Sequence, residues 1–271
     1  GYPGGLLRPA EEAAPPARRA PDSLDPLVRF RGPVPIERIT WEVVEGARAY
    51  PEAVAAAADL HWREELAKRP KMFDGPVWCL LSHEAAPGRG GLHLRLQRSS
   101  FKYVLYTHHA EEGRRLPASE RAGACGLMAL TETSDGMIVL GKRSSKLAAM
   151  PGHWHCVPAG NVDSADLKDV LSRELHEETG CPWEVVSDAS LVALMSTGDE
   201  QGHKNEFVFG LRLSASAAEL HDRYKSCEDK AEHEALVFVP APGRDAAAGA
   251  EVPTASLQEV LGHYPLTDVT L

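Results

Sequence analysis

Between Leu167 and Gly180 the sequence LKDVLSRELHEETG permits few structures. Leu167, Val170 and Leu171 recur at helical spacing, and at about 100° per residue Glu174 and Glu178 continue that apolar stripe instead of opposing it. Glu174, Glu177 and Glu178 stand at i, i+3 and i+4, so three carboxylates fall within about one turn of one helix face. Arg173 is the strong cation within that turn, four residues before Glu177 and able to pair with it. Like charges crowded together and leaning toward a core are costly unless a cation joins them. Hard oxygen donors of this kind suit Mg²⁺ or Mn²⁺, not zinc, and Mg²⁺ is typically held by a few carboxylates together with substrate phosphates. Ser164 is the predicted N-cap, Gly180 the residue just past the helix, and Pro182 prevents its continuation.

Arg173-Glu174-Leu175-x-Glu177-Glu178-x-Gly180 resembles the second half of the Nudix box, G-x5-E-x7-R-E-U-x-E-E-x-G-U with U aliphatic. Gly160 and Asp166, in Val157-Pro-Ala-Gly-Asn-Val-Asp-Ser-Ala-Asp166, resemble its beginning. This chain departs at three places: Asp166 replaces the first glutamate, the spacer to Arg173 is one residue short, and Cys181 takes the last aliphatic position. The resemblance implies an α/β fold, the Nudix α/β/α sandwich with a mixed sheet, whose box helix turns its carboxylates into a cleft. It also implies Glu174 and Glu178 as metal ligands, Glu177 as a further ligand or base, and Arg173 as the group that orients the glutamates. Gly160 would let the loop backbone pass close to the helix.

At 271 residues the chain is long enough for one large domain or two modest ones. A formal charge of −10 argues against a dedicated nucleic-acid surface, which needs clustered Lys and Arg, but small anions met by metal ions and local cations remain open. Five cysteines without a C-x-x-C predict neither a disulfide framework nor a zinc ribbon, and fit a reducing, cytoplasmic compartment. No apolar run approaches the roughly twenty residues that span a bilayer, so no membrane association is expected. Residues 1–30, rich in Ala, Pro and Arg, are expected to form a disordered leader; organelle targeting is the alternative, against which Glu11, Glu12, Asp22 and Asp25 count. Residues 31–120 are expected to form an N-terminal α+β subdomain, and residues 121–271 the Nudix part.

Within the N-terminal part, Pro51 to Leu66 predicts a helix with Ala58, Trp62 and Leu66 on its apolar side, followed by a turn-rich joint from Lys68 to Pro76. Val77–Leu81 and Leu92–Leu96 flank a glycine-rich turn and predict a hairpin. Phe101 and Tyr103 flank Lys102: core aromatics with a surface lysine on one reading, a base-stacking and phosphate contact on the other. The order Lys71-Met-Phe-Asp-Gly-Pro76, Leu94-Arg-Leu96, Ser100-Phe-Lys-Tyr103 is similar to the N-terminal half of the UDP-sugar diphosphatases of animals and plants, although the long insertion usual in their box is missing here.

A second hairpin is predicted from Gly126–Thr131 and Met137–Gly141 around Asp135-Gly136. Lys142 and Arg143 follow it as phosphate contacts or as ordinary surface cations. His153 and His155 alternate around Trp154; without a third nitrogen or sulfur at zinc spacing, a structural or substrate-contact role is favoured. Glu206 opens a strand, either as a solvated end or facing metal or substrate. Glu232, with Glu234 as its alternative, precedes an apolar strand and resembles the late glutamate that completes the metal site or acts as base in this superfamily. Leu257 to Gly262 predicts a closing helix. The resemblance implies Mg²⁺-dependent hydrolysis of a nucleoside diphosphate linked to another moiety. UDP-glucose or UDP-galactose, cleaved to UMP and sugar 1-phosphate, is the favoured small-molecule substrate; ADP-ribose and a non-hydrolytic sensor or scaffold are the alternatives.

Overall fold

The computed structural model describes residues 28–86, 90–145, 152–198, 202–227 and 232–241. Residues 1–27 of the predicted leader and the predicted closing helix at Leu257 to Gly262 lie outside the described residues.

The N-terminal elements are β1 (Val28–Pro35), β2 (Ile39–Ala47), α1 (Glu52–Lys68), β3 (Pro76–Ala86), β4 (Gly91–Ser100), and the short helices α2 (Phe101–Val104) and α3 (Glu111–Arg114), joined by a π turn at Leu105–His109. There follow β5 (Cys125–Glu132), β6 (Met137–Arg143), β7 (Trp154–Cys156), β8 (Ala159–Asn161), α4 (Leu167–Thr179), β9 (Val186–Ser196), β10 (Asn205–Leu213), α5 (Ala217–Tyr224) and β11 (His233–Pro240).

The main sheet runs β1-β9-β10-β5-β6-β11, with β7 added beside β6 and β8 beside β5. It is mixed: β10 lies parallel to β5 and antiparallel to β9. Both predicted hairpins form, β3 with β4 and β5 with β6, and β4 alternates buried and more exposed residues from Leu92 to Gln97. The leader expectation is corrected at its end. Val28, Arg29 and Phe30 belong to a strand paired with β9, and Arg29 Nη1 donates to Asn205 Oδ1 at 3.0 Å.

One face of the main sheet presents Leu127, Phe207 and Phe209 to Leu167, Val170 and Leu171 of α4, and the same core takes in Leu92, Leu94 and Leu96 of β4. Those three leucines are alternate residues of one strand, so the small sheet β2-β4-β3 turns a single apolar face onto the main sheet and α4. Residues before and after position 120 therefore share one core. Backbone bonds join the same regions, from Trp78 N to Val162 O at 2.9 Å and from Leu80 N to Gly123 O at 3.0 Å. The α5 helix packs beside α4 over Val139 and Phe238.

The start of α4 differs from the sequence reading. Asp166, not Ser164, is the N-cap: its carboxylate accepts from Lys168 N at 2.9 Å and Asp169 N at 3.4 Å, while Ser164 Oγ accepts from Asp166 N at 3.3 Å. At the other end Gly180 takes the left-handed conformation, φ 70°, which glycine adopts without strain.

Candidate active site

The α4 helix separates its three glutamates. Glu178 is 1% exposed, and Glu174 turns inward beside it, but the Glu177 side chain is 47% exposed, with Arg173 Nε at 3.9 Å. The difference from three ligands on one face is a matter of phase: on a 100° wheel Glu177 falls on the solvent side of the Glu174 and Glu178 row. Arg173 Nη2 donates to Asp163 Oδ1 at 2.7 Å and to Glu174 Oε1 at 3.2 Å, so a loop carboxylate fixes the guanidinium against the first glutamate. Asp163 carried no motif and had no signal in the sequence.

The loop half of the box supplies β8 and a close backbone. The amide of Ala159 donates to both Glu178 carboxylate oxygens at 3.3–3.4 Å. A Cβ at Gly160 would stand 2.4 Å from the carboxyl carbon of Glu174, so no residue with a side chain fits there without moving the glutamate. Burial pushes Glu174 up to about 7, the neighbouring carboxylates of Glu177 and Glu232 adding to the shift and Arg173 opposing it. Burial pushes Glu178 well above the ordinary glutamate value, with Glu232 and Glu174 adding to it.

Glu232 completes this acidic group from the residue just before β11. Arg143 Nη1 holds it at 3.1 Å, and Ser144 N donates to its carbonyl at 2.7 Å. Glu234 turns elsewhere, accepting from the amide and hydroxyl of Ser145 and lying 3.6 Å from Lys142 Nζ. Of the two late glutamates, Glu232 is therefore the one on the cleft.

The cleft has a volume of about 600 Å³. Glu174, Glu232, Gly160 and Asp163 form one wall, and Lys71, Phe73 and Phe101 form the other. Phe73 is 77% exposed. Its segment stood out in the sequence as a turn-rich joint and for its resemblance to the UDP-sugar diphosphatases.

The other residues singled out from the sequence, Phe101 excepted, lie apart from this lining. Phe101 and Tyr103 diverge because they sit two positions apart on a helix, not on a strand. Lys102 Nζ pairs with Asp59 at 2.7 Å, and the Tyr103 ring stacks on Tyr50 with centroids 3.9 Å apart. Lys142 and Arg143 end β6, each paired with a glutamate. Glu206 is buried in β10 and paired with Lys204 Nζ at 2.9 Å. His155 meets His233, not His153: the two Nε2 atoms are 2.6 Å apart, one donating and one accepting. Burial pushes both imidazoles down, to about 2 and about 4, so the pair is neutral.

Buried, mutually repelling carboxylate oxygens are hard donors of the kind that suits a divalent ion. Among the described residues no three His, Cys, Asp or Glu side chains converge as a metal-holding group.

The α/β fold thus brings an acidic helix, a tight glycine loop and an open cleft together. Residues 120–242 match the model of the NUDIX domain. The match is to the domain and is confined to that segment. Among solved structures, the chain is similar to DR0079 from Deinococcus radiodurans (21% identity, TM-score 0.30, covering 34% of this chain and 57% of that one). It is also similar to a MutT protein from Methanosarcina mazei Go1 (21%, TM-score 0.29, 42% and 73%) and to a MutT NUDIX hydrolase from Burkholderia pseudomallei (26%, TM-score 0.33, 42% and 81%). The similarity thus spans little more than half the length of the Deinococcus protein. No curated protein matches the chain. No helix among the described residues is long and apolar enough to cross a membrane.

Proposed function

We propose that this protein hydrolyses the phosphoanhydride of a nucleoside diphosphate joined to a second group, with a UDP-sugar, cleaved to UMP and sugar 1-phosphate, as the favoured substrate. The observation that carries this reading is Glu174 and Glu232 at the wall of an open cleft, with the fully buried Glu178 carboxylate close enough to be pushed up by both.

Glu174 and Glu178 would hold Mg²⁺, with Glu232 as a further ligand or as the base. When bound, the ion neutralises the diphosphate and acidifies the attacking water. Arg173, tied to Asp163, keeps Glu174 turned inward. Glu232, braced by Arg143, takes the proton of the water in this reading, because Glu177 faces solvent. The water oxygen bonds to phosphorus as the bridging phosphorus–oxygen bond breaks, and the bridging oxygen leaves with one of the two phosphate products. Lys71 is a cation for the diphosphate, and Phe73 and Phe101 offer flat apolar surfaces to a base. The buried free cysteines agree with the cytoplasm as the proposed compartment.

The test is hydrolysis of a panel of nucleotide sugars, ADP-ribose, dinucleotides and nucleoside triphosphates, with Mg²⁺ and with chelator. UDP-sugars should show the highest kcat/KM, and only with the metal. A preference for ADP-ribose would overturn the substrate, and binding without turnover across the panel would make the protein a sensor.

A further inference from the structure

A second pocket, of about 380 Å³, opens in the N-terminal region between β2 and β4, outside the acidic cleft. Its origin is local. The pairing of β2 with β4 slips between Val44 and Ala47, where Gly46 adopts φ 81°, and the bulge spreads the two strands. Val43, Ala47 and the ring of Tyr103 supply apolar walls, and Arg48, Arg98 and Ser99 supply the polar ones.

The two arginines are unusual in their partners. Arg48 donates through Nη2 to the carbonyls of Ser119 and Arg121, both at 3.0 Å, and its guanidinium lies 5.7 Å from the Tyr50 ring centre. Its Nε is buried with no hydrogen-bond partner, and neither Arg48 nor Arg98 has a carboxylate partner among the described residues. Glu45 stands on the rim and pairs with neither. Two guanidiniums without a carboxylate partner among the described residues line one pocket and repel each other. An anion between them relieves that repulsion, and Arg is the side chain whose fork fits an oxyanion.

We propose that this pocket binds an organic phosphate: a phosphate held by Arg48 and Arg98, joined to an apolar body that lies against Val43, Val44 and Ala47. The site touches the acidic cleft indirectly. Ser99, Ser100 and Tyr103 line the pocket, and Phe101, in the same short segment, lines the cleft.

The experiment is calorimetric titration of the full chain with phenyl phosphate and with inorganic phosphate, in chelator so that no metal draws phosphate to the carboxylates. Wild type should bind phenyl phosphate, and more tightly than inorganic phosphate. Arg98→Ala, at an exposed strand position, should fold normally, hydrolyse substrate at the wild-type basal rate, and bind phenyl phosphate about tenfold more weakly. Lys71→Ala, in the cleft, should leave this binding unchanged. Equal affinity in Arg98→Ala, absence of binding to wild type at millimolar ligand, or a loss confined to Lys71→Ala would each overturn the proposal.

Discussion

At Gly160 the missing side chain is the functional feature. Gly160→Ala would drive a methyl group to 2.4 Å from the Glu174 carboxyl carbon, and the glutamate or the loop must yield. Overpacking of this kind costs about 1–3 kcal/mol, so the variant should melt several degrees lower and lose at least about tenfold in kcat, read by thermal melting and steady-state assay. Glu174 also makes stability depend on pH. Its folded value, about 7, lies above the ordinary 4.5, so as pH rises the unfolded chain loses this proton first. The metal-free protein should therefore lose stability between about pH 4.5 and about pH 7, and lose no more from this group above that window. Melting in chelator across that range checks the sign, and Glu174→Gln should flatten the curve. The inward turn of Glu174 and Glu178 was legible in the sequence, because a helix wheel fixes which residues continue an apolar stripe. The Asp163 brace on Arg173 was not, since it joins a loop to a helix ten residues away through side chains alone.

At the scale of the helix, the shortened box acquires a physical reason. Asp166 sits where the family pattern has its first glutamate, and its carboxylate caps α4. Asp166→Ala should cost about 1 kcal/mol of stability, the usual loss for an N-cap, while kcat stays within about threefold of wild type. A metal ligand at this position would instead cost about a hundredfold or more, so the two readings separate in one kinetic measurement. Ser164 and Asp166 are equally good cap residues by type, and only the helix's first hydrogen bonds distinguish them. The hairpins were legible because alternation and turn glycines act over short range. The strand β1 was obscured by its setting, an alternating run Val28-Arg-Phe-Arg31 behind a Pro- and Ala-rich stretch. Pairing with β9, some 160 residues away in sequence, decides its structure.

For the molecule as a whole, the cleft exists only because the small sheet and its flanking turns stand against the acidic helix. Phe73 is where this matters for binding. Phe73→Ala should raise KM about tenfold and change kcat little, since stacking on a base contributes about 1–3 kcal/mol to binding without touching the reacting atoms. The segment Lys71 to Pro76 carried a resemblance in the sequence but no chemistry of its own, because its partner wall lies about a hundred residues further along the chain. In the proposed reaction the buried carboxylates of α4 carry a metal-dependent hydrolysis. Glu178→Gln and wild type should be compared on the best substrate of the panel, with and without Mg²⁺. The fold should be unchanged by circular dichroism and the Mg²⁺-dependent kcat should fall at least about a hundredfold. A Glu178→Gln enzyme that turns over at the wild-type rate would contradict the proposed reaction.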